Sequence, residues 1–167
     1  MTTGHFSLRN TPITVLFRFK RCCTSSGGVK AGLARHLESA GKWVATADHV
    51  AVLQVIFTDP QIASVGFTEK AARSLKINVR AVDYEIDTLQ GANLHTDGYT
   101  GHARIIVNED RHVIVGATLI GPPVGELLRP ATLAIIGEVP LERMWHAVPS
   151  FPTMSEVWLR LLENYGL

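Results

Sequence analysis

The chain has 167 residues, 46% of them apolar and 19% charged, and a formal net charge of +1. That is a globular balance, and it supplies no electrostatic argument for nucleic acid or an anionic membrane surface. Two cysteines, adjacent at Cys22 and Cys23, exclude a disulfide framework and fit a reducing, cytoplasmic setting. The longest apolar runs, about eight residues, fall short of the ~18 that a membrane helix needs.

Residues 1–30 form a basic segment for which no folded state is expected. No acidic side chain occurs before Glu38, whereas Arg9, Arg18, Lys20, Arg21, Lys30 and Arg35 are all basic. Three readings stay open: an organelle-targeting peptide, a basic tail, or a segment left by truncation or a misassigned start. Ile13–Phe17 has strand character. Residues 31–49 read as a remnant linker or weak helix with Leu33, Leu37, Ala40 and Val44 at helical spacing. Gly27–Gly32 has the outer glycine spacing of a phosphate loop, but Leu33 stands where lysine is required.

From residue 50 to 165 the pattern is that of one folded unit. Val52–Phe57 suits a strand, Asp59-Pro60 a turn, and Thr68–Leu75 a helix capped by Thr68. Val79–Ile86 alternates like a strand with one wet face, and Gln90–Gly101 carries the turn chemistry of a loop. Ala103–Val107 and His112–Ile120 make a hairpin, apolar enough in Ile105-Ile106-Val107 and Val113-Ile114-Val115 to be covered on both faces. Val124, Leu127, Leu128, Ala131 and Ile135 are helically spaced, with Pro130 marking a kink or a late first turn. Leu141–Trp145 is a short helical turn. The expected fold class is α+β, an antiparallel sheet with helices on one side.

The last element begins at Pro149-Ser150-Phe151-Pro152, held away from helical geometry by its prolines. Thr153 and Glu156 have the spacing of a capping box. Met154, Trp158, Leu161 and Tyr165 then make a single apolar stripe that should dock on a core.

Two stretches carry a family resemblance. Pro152-Thr153-Met154-Ser155-Glu156 resembles the H-P-T-x-S-E signature that closes the C-terminal dimerisation domain of pyridine nucleotide-disulfide oxidoreductases, a family that includes dihydrolipoamide dehydrogenase and mercuric reductase. Phe57-Thr58-Asp59-Pro60-Gln61-Ile62-Ala63-Ser64-Val65-Gly66-Phe67-Thr68-Glu69 is similar to that domain's F-T-x-P-E-x-A-x-V-G-x-T-E entry. The resemblance implies a homodimer and, in the intact family, FAD and a nicotinamide nucleotide held by two preceding domains. Each of those needs a glycine-rich turn at a helix start, and the chain contains no G-x-G-x-x-G. It also lacks the family's C-x4-C redox pair. The chain reads as a truncated dimerisation domain that binds no FAD and catalyses nothing alone.

The resemblance also implies where chemistry would sit. A histidine acts as acid–base partner of the redox thiols at the position held here by Phe151, and the signature glutamate, here Glu156, orients it. Phenylalanine moves no proton, so no catalytic residue is assigned. Glu156 is retained, and completing the capping box is its alternative role. An intact relative with phenylalanine here is expected to reduce a non-thiol acceptor such as a quinone, oxygen or a metal. Phe151 and Pro152 are candidates for a contact at the edge of a flavin.

Other candidates weigh less. His146 lies five residues before Phe151 with nothing in the spacing to place it over that site. His95, His102 and His112 lack metal-ligand spacing, and His102 and His112 could face each other across the hairpin. Cys22-Cys23 is either a vicinal redox pair or an accidental one. The apolar helix near Leu127–Ile136 is either an isologous contact face or ordinary core. Two further hypotheses stand beside the dimerisation module: a detached subunit that meets a larger flavoprotein, and a fold reused for unrelated binding.

Overall fold

The computed structural model describes residues 5–8, 11–14 and 51–167. The first two segments are antiparallel strands β1 (His5–Leu8) and β2 (Thr11–Thr14). The Val15–Phe17 part of the expected strand, the weak helix at 31–47, Cys22, Cys23 and the Gly27–Gly32 loop lie outside the described residues.

From residue 51 the chain builds a five-stranded sheet, order β3-β4-β7-β6-β5, in which every neighbouring pair is antiparallel. Its strands are β3 (Leu53–Ile56), β4 (Gln61–Gly66), β5 (Val79–Glu85), β6 (His102–Asn108) and β7 (Val113–Gly121). The helices are α1 (Glu69–Ser74), α2 (Gln90–His95), α3 (Leu128–Ile136), α4 (Leu141–Trp145) and α5 (Val157–Tyr165), with single 3-10 turns before α2, α3 and α5. Among the described residues no helix is long and apolar enough to cross a membrane.

Register puts Val65, Ala117, Ile105 and Val82 side by side across four strands, and all four are buried. Leu128, Ala131 and Ile135 of α3 and Val157, Trp158, Leu161 and Leu162 of α5 complete this core. The neighbouring row, Ser64, Thr118, Arg104 and Asp83, points to the other face and is polar. Ile106 is buried on that face, so the hairpin is covered on both sides as its apolar runs required.

Two local expectations hold in detail. The Thr68 hydroxyl accepts from the Ala71 N–H at 3.2 Å and caps α1. Pro130 falls in the first turn of α3, where its missing N–H costs no helix bond, and a 3-10 turn at Val124–Leu127 precedes it.

Three elements are additions, the first being β1 (His5–Leu8) in the segment for which no folded state was expected. β4 occupies Gln61–Gly66, read in sequence only as part of a motif. α2 occupies Gln90–His95, where a loop was expected. A bulge in β7 leaves Val115 unpaired between Ile106–Gly116 and Val107–Ile114. There the Phe67 N–H donates to the Val115 carbonyl at 2.9 Å, and a Cβ on Gly116 would lie 1.9 Å from the Phe67 carbonyl oxygen. Only glycine permits that crossing.

Candidate functional site: the loop into the last helix

The site is built by α5 and the extended segment that feeds it. The Met154, Trp158, Leu161, Tyr165 stripe docks as expected: Trp158 and Leu161 are buried, and Met154 and Tyr165 pack at the margin of the core. The far end of α5 is tied to β5. Asn164 Nδ2 donates to the Asp83 carbonyl at 2.8 Å, and Arg80 lies 5.0 Å over the Tyr165 ring.

The capping box does not form. The Thr153 hydroxyl instead donates to the Ser150 carbonyl at 2.6 Å, and Thr153 makes no side-chain cap. Glu156 is 5% exposed, and its Oε1 accepts from Arg160 Nε at 3.0 Å and Nη2 at 2.6 Å. A guanidinium one turn on outcompetes a backbone amide because both partners are charged. Arg160 also donates to Glu163 Oε2 at 2.8 Å, and its two carboxylate partners, Glu163 first, raise its pKa further. Glu156 Oε2 is buried without a hydrogen-bond partner among the described residues.

Phe151 is 72% exposed and Val148 80%, and Pro152 is exposed as well. The loop thus presents apolar groups outward, and Phe151 carries no proton-transfer group. Behind it, α2 supports the segment. A Cβ on Gly91 would lie 2.3 Å from the Thr153 carbonyl carbon, so the helix backbone rests directly on the chain after Pro152.

The histidines disperse. His146 is an exposed residue at the end of α4. His95 meets Tyr99 edge-on at 6.2 Å, and burial pushes the Tyr99 hydroxyl up to about 12. His112 Nδ1 pairs with Glu142 Oε1 at 3.0 Å. His102 and His112 do not face one another: His102 is opposite Ile120, at the other end of the hairpin from His112. Among the described residues no group of three His, Cys, Asp or Glu side chains could hold a metal.

The sequence reading missed a charged cluster on the helix-poor face. His102 lies between Asp83 (3.1 Å) and Glu85 (2.9 Å), and Arg104 holds Asp83 in a two-pronged pair. The Asp83 bond raises the His102 pKa, opposed by burial and helped by Glu85. Burial alone would raise the Asp83 carboxyl, but bonds from His102 and Arg104 pull it well below the usual range. The alternation of His102 with Arg104, and of Asp83 with Glu85, was the available signal.

These residues do not fit a site that holds FAD. A dinucleotide is cradled by backbone N–H groups of a glycine-rich turn leading into a helix. The described helices instead follow Thr68, Leu89, Leu127, Pro140 and Glu156. What the segment offers is an apolar edge, Phe151 and Pro152, beside a buried carboxylate already clamped by arginine.

Residues 52–162 match the family described as "Pyridine nucleotide-disulphide oxidoreductase, dimerisation domain". The dihydrolipoyl dehydrogenase of Chlamydia trachomatis is 36% identical over 111 residues, 66% of this chain and 24% of that protein. That of Geobacillus stearothermophilus is 30% identical over 116 residues, 70% of this chain and 24% of the relative. The chain therefore spans about a quarter of the length of these curated relatives. In fold it is similar to the HOCl-induced flavoprotein disulfide reductase RclA from Escherichia coli, with a TM-score of 0.69 at 22% identity over 78% of this chain and 30% of that one. It is likewise similar to LpdA from Mycobacterium tuberculosis, with a TM-score of 0.70 at 18% identity over 80% and 29%. The sheet order, the entry block and the closing signature agree with this match, and the chain belongs to the dimerisation-domain family of the pyridine nucleotide-disulphide oxidoreductases.

Proposed function

We propose that residues 50–165 act as the subunit-contact module of a flavin-dependent NAD(P)H oxidoreductase and meet a second copy of this chain across α3. The observation that carries this is α3 itself. It buries Leu128, Ala131, Ala134 and Ile135, yet Leu133 and Ile136 remain 57% and 50% exposed. A helix apolar beyond its core face has a second surface to cover, and a two-fold contact lets one patch serve both subunits. In this reading the module works in the cytoplasm, in keeping with its adjacent cysteines. It carries no FAD alone, and Phe151 and Pro152 touch the edge of a flavin held elsewhere. Phe151 takes no part in thiol proton transfer, so the assembly would serve a non-thiol acceptor.

A second reading, a detached subunit completing a larger flavoprotein, draws on the outward apolar loop at Val148 and Phe151. One experiment separates the two: light scattering of the purified chain with flavin absorbance read on the same peak. A colourless peak of two chains in dilute solution is expected. Turning Leu133 and Ile136 to aspartate should reduce it to one chain. A yellow peak, or NAD(P)H oxidation above a matched blank, would overturn the non-catalytic reading. Stoichiometric flavin recovered only with a co-expressed larger partner would favour the second.

A further inference from the structure

The two edges of the sheet differ in a way that the α3 contact does not explain. The β5 edge carries Arg80, Asp83 and Glu85, and α5 is tied to it. The β3 edge has none of these protections among the described residues. Among the described residues β3 pairs only with β4, in unbroken register from Leu53–Val65 to Ile56–Ile62. No charged residue and no proline occurs from Val50 to Thr58. Val52, Leu53, Ile56 and Phe57 are each between 41% and 54% exposed. Native edge strands are normally blunted by lysine, proline, a bulge or an inward charge, because a bare row of N–H and C=O groups templates another strand.

We propose that the free edge of β3 docks a second copy of this chain, strand against strand, joining two five-stranded sheets into one. The occupant follows from the chemistry of the edge. Unpaired backbone groups are matched by another extended strand, and a strand without charge can face its own copy with no like charges opposed. A two-fold axis normal to the sheet makes the new pair antiparallel and keeps the helix-covered face of each copy on the same side. With the axis at Val55, Leu53 comes opposite Phe57, so apolar side chains meet on one face, and Gln54 comes opposite Ile56 on the other. This contact uses no residue of α3 and does not rest on the α3 contact. Two different isologous contacts on one chain need not close, so assembly continues past the pair as concentration rises.

The test is light scattering of the full chain through a concentration series, beside Leu53→Lys/Ile56→Lys, Leu133→Asp/Ile136→Asp and the four-fold variant. Wild type is expected to pass two chains as concentration rises. The β3 variant should stop at two, the α3 variant should be single in dilute solution and stop at two through β3 as concentration rises, and the combined variant should remain single throughout. All four positions are exposed, and thermal melts of each variant check that the fold survives. Hydrogen exchange gives a second reading on unaltered protein: those amides of 53–57 that do not bond to β4 should slow by about tenfold or more on association. The proposal is overturned if Leu53→Lys/Ile56→Lys follows the wild-type mass curve throughout. It is equally overturned if those amides are already slow in the dilute chain, which would place other residues of the same chain over the edge. Failure of the α3 contact would show separately, as a Leu133→Asp/Ile136→Asp chain that matches wild type.

Discussion

Helix α5 and the segment that feeds it, Ala147 to Pro152, are separated only by Thr153 and a 3-10 turn and differ sharply in environment. Val157, Trp158, Leu161 and Leu162 are buried in the main core, whereas Val148 and Phe151 are among the most exposed large apolar side chains described. The helix holds its place by burial, by the Arg160 clamp on Glu156 and by Asn164 on β5. The loop is held by what lies at its two ends and contributes little burial of its own. Burial and exposure are thus divided between neighbouring stretches, and substitutions should separate what each contributes.

The largest effect should come from Leu161→Ala, a fully buried position, with a loss of about 2–5 kcal/mol in urea denaturation. A loss below about 1 kcal/mol would mean that α5 docks more loosely than its burial implies. Gly91→Ala follows. In an isolated helix alanine would gain about 1 kcal/mol over glycine. Here the new Cβ would strike the Thr153 backbone, so a net loss of about 1–3 kcal/mol is expected by denaturation. A stabilised variant would show that α2 does not support the loop.

His102→Gln tests the strand to which α5 is tied. The folded-state pKa of His102 is raised, so its contribution is complete below the unfolded value of about 6.5 and is lost as pH rises through the folded value. The Asp83 pKa is lowered, so its share is present above about 3.9 and is lost only as pH falls through the depressed folded value. The Tm advantage of wild type over His102→Gln should therefore be widest between about pH 4 and 6.5 and should shrink above it. A difference that does not change with pH would remove the ionic explanation. The smallest effect on folding should be that of Phe151→Ser, within about 0.5 kcal/mol in urea denaturation. A large stability loss there would merge loop and helix into one unit.

Legibility in the sequence followed the same division. The β6–β7 hairpin, the Thr68 cap, the Pro130 helix start and the α5 stripe were readable because apolar spacing or a cap determined each. β4 was not, because Ala63, Ser64 and Gly66 carry weak strand propensity, and pairing with β3 and β7 supplies what propensity lacks. α2 was hidden by Gly91 and Asn93. It forms because Leu89 and Ala92 are buried and Gly91 can lie flat on Thr153. The capping-box expectation failed for a specific reason: Arg160 is one turn from Glu156, and no local rule compared that partner with the Thr153 amide. The charged cluster at His102 needed the β5–β6 register, which sequence spacing alone does not set.

The order of the strands also makes the domain a spacer. The sheet begins with β3 at one edge, and the closing helix is tied to β5 at the other, with three strands between them. Four inter-strand steps of about 4.8 Å put roughly 19 Å between those edges. A polypeptide attached ahead of β3 and one attached beyond Tyr165 would be anchored on opposite flanks of a stiff plate. Anything fused at one flank keeps a fixed offset from the other, which makes the domain a short molecular ruler.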